Sequence, residues 1–263
     1  MGHTISFGLQ KGGVGKTTSA SITSYLLAEY YNYKVLAIDF DSQGNMTLFL
    51  TQQNIYDFHE YTILEAMKEK NAEKYIHRIT DNLHIIPAED YLITINRYLH
   101  TTYRGKGDPS QLLKEILEPI KHDYDYIVID LPPNLGDQTI NGLTASDYTV
   151  VVLQSDPLSY DALDRYMDFL NGVKEHTNPD LYLAGILTTM LDSRVVLDST
   201  ILDSVKEVYD DIVFNSIIKR RSRIKEFSNT GISHSTKNDQ EVLEPYIVFV
   251  KELLDTINTT NNS

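Results

Sequence analysis

Two lysines five positions apart, Lys11 and Lys16, bracket three glycines in KGGVGKTT (11–18). Glycine lets a backbone bend tightly and aim its N–H groups at an anion, and a helix that starts directly afterwards adds free N–H groups and partial positive charge. The flanks supply that setting: an apolar TISFGL (4–9) before the run and a helix-like SASITSYLLAEYY (19–31) after it. This is the construction of a phosphate-binding loop. Gly12, Gly13, Val14, Gly15 and Thr18 would line the cradle, Lys16 would reach the β- and γ-phosphates of a nucleoside triphosphate, and the Thr17 hydroxyl would ligate Mg²⁺. The usual G-x-x-x-x-G-K-[ST] pattern is broken at its first glycine, where Gln10 stands. The remaining G-G-x-G-K-[ST] arises by chance in roughly one chain in a thousand of this length. A functionless glycine turn would not need the strand and helix around it. One lysine is enough for the phosphates, so Lys11 asks for a second explanation.

A Mg²⁺–nucleotide site also needs carboxylates. VLAIDFDSQGNMT (35–47) supplies Asp39 and Asp41, and Asp130 closes YDYIVID (124–130) after four apolar residues. The last is the pattern of an aspartate that holds the metal through water, and Asp39 is a further candidate metal ligand. A single aspartate at a strand end is more often a helix cap; three of them beside a phosphate loop favour the nucleotide.

The rest of the 263-residue chain narrows the chemistry. It has no cysteine, which removes disulfides, thiolate metal sites and thiol nucleophiles together, and its eight histidines form no HExxH or close pair. The formal net charge is −14, so contact with nucleic acid must use a local patch rather than bulk charge. IIKRRSRIKEF (217–227) offers one, with Lys219, Arg220, Arg221, Arg223 and Lys225 inside seven residues. Clustered Lys and Arg neutralise backbone phosphates without reading bases; the plain alternative is a solvated basic loop. The opening MGHTIS fits a loose myristoylation pattern at Gly2 and Ser6, but reads first as the edge of a buried strand. With no signal-like start and no apolar run of membrane-spanning length, the expected compartment is the cytoplasm.

These side chains must be positioned by an α/β fold. Strands are expected at 4–9, 34–39, 83–88, 124–130, 148–154, 181–190 and 211–218, several of them nearly continuous Val, Ile and Leu. Helices are expected near 17–31, 89–99, 109–121, 137–146, 158–177, 195–209 and 240–258, with a frayed tail over 258–263. This alternation predicts a single domain: a mostly parallel, twisted sheet with helices on both faces. The ligand crevice of such a sheet lies beyond the carboxyl ends of its strands. The glycine loop, Asp39, Asp41, Asp130 and Arg194 are all expected there.

KGGVGKTT, IDFDSQGNMT, IDLPPNLGDQTINGLTASD and GILTTMLDSR together resemble the deviant Walker A ATPases of the ParA type, in the short form without an N-terminal helix-turn-helix domain. The likeness runs from about residue 3 to 257. It implies that Lys11 crosses a dimer interface to the phosphates held by the other subunit, that Asp41 positions the attacking water, and that Asp130 is the Walker B aspartate. It also implies a cycle: ATP-driven homodimerisation, non-specific binding of double-stranded DNA on the nucleoid, and slow hydrolysis accelerated by a ParB-like centromere-binding partner. Arg194 and Arg223 fall where the family carries DNA-contacting basic residues.

The chain departs from that pattern in three places. Lys219-Arg220-Arg221 stands for a PRN-like triplet near the adenine, FSNTGISHSTKN replaces an EAPSHGKP-like segment, and DSQG replaces DPQG at Ser42. A MinD-like membrane-cycling ATPase would share the nucleotide site but needs a basic amphipathic C-terminal helix. Here Leu243, Ile247, Val250, Leu254 and Ile257 form a core-facing stripe with acidic flanks. The 18 tyrosines are dispersed rather than clustered in a tail, which disfavours a bacterial tyrosine kinase and suits packing. A nucleotide-gated scaffold with little turnover stays open.

Overall fold

The computed structural model describes residues 2–154, 157–191, 196–209 and 212–261. Its eight strands are β1 (His3–Gly8), β2 (Val35–Asp39), β3 (His77–Arg78), β4 (Leu83–Ile86), β5 (Tyr126–Asp130), β6 (Tyr148–Gln154), β7 (Tyr182–Leu191) and β8 (Val213–Lys219). They form one sheet in the order β3-β4-β2-β5-β1-β6-β7-β8. Every pairing is parallel except the short one between β3 and β4. Every residue of β2 and of β5 is buried, which explains their unbroken apolar sequences: both faces are covered.

The helices are α1 (Lys16–Tyr25), α2 (Asn45–Thr51), α3 (Ile63–Glu69), α4 (Ile95–Thr101), α5 (Leu112–Leu117), α6 (Asp137–Thr144), α7 (Pro157–His176), α8 (Val196–Tyr209), α9 (Ser222–Thr230) and α10 (Lys237–Asn261). All seven expected strands and all seven expected helices are present. β3, α2, α3 and α9 lie outside the expected elements. The expected 109–121 helix is α-helical only over Leu112–Leu117, with tight 3₁₀ turns on either side. The tail expected to fray from Asn258 continues α10 to Asn261. Gly2 is buried against the chain before β5, where a Cβ would come within 2.2 Å of the Tyr124 carbonyl oxygen.

The connections place the site. From β1 the chain moves to one side for β2 and to the other for β6, β7 and β8, so the winding reverses at β1. A crevice opens at the carboxyl ends of strands where the order reverses in this way. There Asp39 and Asp130 are direct register partners on neighbouring strands, and Phe7 pairs with Asp130 from the other side. The C-terminal α10 is sealed into the core through Leu243, Phe249, Val250, Leu253 and Ile257, all fully buried.

Candidate nucleotide site

The loop between β1 and α1 takes its shape from two left-handed glycines, Gly13 at φ 77° and Gly15 at φ 91°. Side chains rarely adopt that backbone region, so glycine is needed at both. Between them Val14 is fully buried, which pins the loop to the core. Gly15 is the N-cap of α1, and its carbonyl accepts the Ser19 N–H at 2.9 Å. Beside Gly12 and Gly13 a Cβ would meet nothing within 4 Å, so their backbone faces open space.

Lys16, only 6% exposed, donates from Nζ to the Lys11 carbonyl at 2.8 Å. Burial lowers the pKa of its ammonium, against the pull of Asp130 and Asp41. Asp130 is fully buried, and neither carboxylate oxygen has a hydrogen-bond partner. Burial pushes this carboxyl well above the usual range, reinforced by the charge of Asp39. The Thr17 hydroxyl and Lys16 oppose the shift, with Thr17 close enough to favour the ionised form yet short of a hydrogen bond. A buried carboxylate with no donor is costly unless something cationic joins it. Thr17 and Asp130 together present hard oxygen donors, the kind Mg²⁺ prefers, so these residues fit a Mg²⁺–nucleotide.

Asp39, expected as a further metal ligand, holds its neighbours in place. Its Oδ2 accepts the backbone N–H of Thr47 at 2.7 Å and the Thr47 hydroxyl at 2.8 Å, and its Oδ1 accepts the Asp41 N–H at 3.3 Å. Thr47 Oγ1 in turn accepts the Ala88 N–H at 2.9 Å. Buried Asp39 therefore ties the start of α2 and the Asp41 turn to the sheet. Burial raises its pKa to about 6, against the bonds from Thr47 and Asp41.

A cleft of about 820 Å³ joins the loop to the basic segment. One wall is Gly12, Gly13, Gly15, Lys16, Thr17 and Thr18, with Asp41 beside them; the other carries Lys219, Arg220, Arg221 and Lys225. Leu48, Phe49, Ile218, Ile224 and Tyr246 supply apolar surface between them. The segment is not the loop its composition allowed. Lys219 ends β8, and Arg223 and Lys225 lie on α9. Arg223 is engaged within the fold instead. Its Nε donates to the buried Asp239 at 2.7 Å, Nη1 donates to Glu226 at 3.0 Å, and the guanidinium lies 4.9 Å from the Phe227 ring centre. Asp239 also closes a capping box with Thr236 at the start of α10. Lys11 does not line the cleft, and Arg194 lies outside the described residues. Sequence reasoning did not single out Thr47, or Thr189 and Met190, which reach the loop from β7. All three lie inside the stretches IDFDSQGNMT and GILTTMLDSR, but neither stretch announces these contacts.

A family model described as "AAA domain" matches residues 2–183. The chain is 36% identical over 239 residues to the sporulation initiation inhibitor protein Soj of Bacillus subtilis, covering 88% of this chain and 89% of that one. It is 34% identical over 243 residues to the chromosome-partitioning ATPase Soj of Treponema pallidum, covering 91% and 92%. Among solved structures, apo McdA from Cyanothece superposes with a TM-score of 0.85 at 25% identity, over 97% of this chain and all of that one. The cobyrinic acid a,c-diamide synthase of Mycobacterium smegmatis, solved with an ATP analogue and magnesium, gives 0.75 at 29% identity over 88% and 93%.

Proposed function

The chain belongs to the ParA/Soj family of P-loop ATPases, and on that premise we propose that it is an ATP-dependent DNA-partition ATPase. ATP binding joins two copies, and the dimer holds double-stranded DNA without sequence preference on the nucleoid of the cytoplasm. Hydrolysis, stimulated by a ParB-like partner, then releases the DNA. The observation that carries the reading is the buried, donor-less carboxylate of Asp130 beneath a glycine loop whose lysine is parked on its own backbone. Both groups are poised for a polyanion with its counter-cation.

Phosphoryl transfer to water requires positioning and cations near developing charge more than a strong nucleophile. The loop N–H groups bind the phosphates, and Lys16 leaves the Lys11 carbonyl for the β- and γ-phosphate oxygens. Thr17 and Asp130 would hold Mg²⁺, which would neutralise phosphate charge when bound. Asp41, at the cleft beside the loop, orients the attacking water. Lys11 serves the phosphates of the other subunit, so turnover depends on assembly, as with a cation supplied in trans.

Among the described residues no helix is long and apolar enough to cross a membrane. The C-terminal helix that a MinD-like cycle would lend to lipid has its apolar stripe buried in the core. Sizing chromatography of wild type and Lys11→Ala with a non-hydrolysable ATP analogue tests the assembly step. Wild type should elute as a dimer and the variant as a monomer; a variant that still dimerises would remove Lys11 from the interface. ATPase rates with and without DNA and partner separate a partition ATPase from a nucleotide-gated scaffold.

A further inference from the structure

The carboxyl end of β7 reaches across to the phosphate loop, although β6 lies between β7 and β1 in the sheet. Thr189, 2% exposed, donates its hydroxyl to the Val14 carbonyl at 2.5 Å across 175 positions of sequence. The same hydroxyl lies 3.4 Å from the Leu153 carbonyl at the end of β6. The next residue, Met190, sits at φ 56°, a left-handed backbone that a bulky side chain adopts only when its surroundings impose it. That backbone lays the Met190 methyl 3.4 Å from where a Cβ on Gly15 would stand, with Thr189 Oγ1 at 3.6 Å.

The contact falls at a consequential peptide. Val14 C=O and Gly15 N–H belong to one trans unit and point in opposite directions. A hydroxyl that draws the Val14 carbonyl towards β7 turns the Gly15 N–H the other way. A flip of this peptide turns on Val14 ψ and Gly15 φ, and Gly15 supplies backbone freedom that a side chain would deny. Thr189 and Met190 both line the cleft that Gly15 and Lys16 line.

We propose that Thr189 and Met190 are positioning residues that hold the Val14–Gly15 peptide in its phosphate-binding orientation, so that the loop is preorganised before nucleotide arrives. The inference rests on the nucleotide-site reading above. Preorganisation appears as affinity, because the cost of ordering the loop is met in the free protein. Removing the hydroxyl while keeping shape, as in Thr189→Val, lets the peptide sample both orientations and weakens ADP binding roughly tenfold. Thr189→Ser keeps the hydroxyl and restores affinity. Met190→Gly relieves the left-handed strain, so it should fold, and loses the cover on Gly15, weakening ADP by roughly threefold.

Calorimetric titration of the full chain with ADP and Mg²⁺, beside thermal melting without nucleotide, decides the matter. A merely structural Thr189 would lower the melting temperature of Thr189→Val and leave ADP affinity at the wild-type value, and that result overturns the proposal. So does a Met190→Gly chain that binds ADP as wild type does, should Thr189→Val fail to fold. Wild-type protein that binds no ADP would instead remove the nucleotide-site reading, and the proposal with it.

Discussion

The two walls of the cleft are built on opposite principles. The phosphate wall is backbone: left-handed Gly13 and Gly15, a buried Val14, and a lysine held by a main-chain carbonyl. The facing wall is side chain: Lys219 at the end of β8, Arg220 and Arg221 in the link to α9, and Lys225 on α9, while Arg223 in the same segment is engaged in structure. A backbone wall fixes geometry and suits a ligand whose atoms must be placed for reaction. A side-chain wall supplies charge with little geometry and suits an anion that needs only to be held. One cleft thus combines a demanding site with a permissive one.

The strongest way to break this contrast is at the lysine that the loop holds. Lys16→Ala removes the cation from the phosphate oxygens where charge develops, and should lower ATP turnover by roughly 10²–10³-fold. A loss of less than tenfold would show that the cations of the facing wall can replace it. Next in size is the facing wall itself. Arg220→Ala, Arg221→Ala and Lys225→Ala combined should weaken DNA binding alike for unrelated sequences. The slope of log affinity against log salt should fall by about 5 for a dimer that carries the segment twice. Arg223→Ala serves as the internal contrast: it should lower the melting temperature by freeing Asp239 and the start of α10, with the salt slope left at the wild-type value. A slope lowered by about 2, one phosphate contact from each subunit, would place Arg223 with the DNA cations.

The same contrast explains what could be read in the sequence. The phosphate loop and the strands that frame it were legible because each is a local pattern, glycines at fixed spacing or an unbroken apolar run covered on both faces. The basic segment was legible as composition only, since the sequence does not reveal that Arg223 meets Asp239 sixteen residues on. The bonds that Thr47 donates to Asp39 were not legible, because Thr47 lies on α2, a seven-residue helix too short to show periodicity. Thr189 was invisible as a site residue because its partner is 175 positions away and is a main-chain carbonyl, which no residue type announces.

The smallest expected effect lies beneath the phosphate loop, at the buried Asp130. Its pKa in the folded chain stands well above that of an unfolded aspartate because burial disfavours the charge. Between the two values the folded chain binds the proton more tightly than the unfolded one, so stability is greatest below the unfolded value and falls as pH rises towards the folded one. Each such group contributes at most about 1.4 kcal/mol per pH unit across that window. Asp39 acts in the same direction. Nucleotide-free wild type should therefore lose melting temperature as pH rises above the unfolded aspartate value, and Asp130→Asn should lose less of it over the same range. Mg²⁺ with ADP should reduce that loss in wild type, since the cation compensates the carboxylate, and should leave the slope of Asp130→Asn unchanged. Parallel melting curves for the two proteins would mean that the Asp130 charge is balanced within the folded chain. The Asp130 carboxyl would then no longer be a place where folding stability is given up for metal binding.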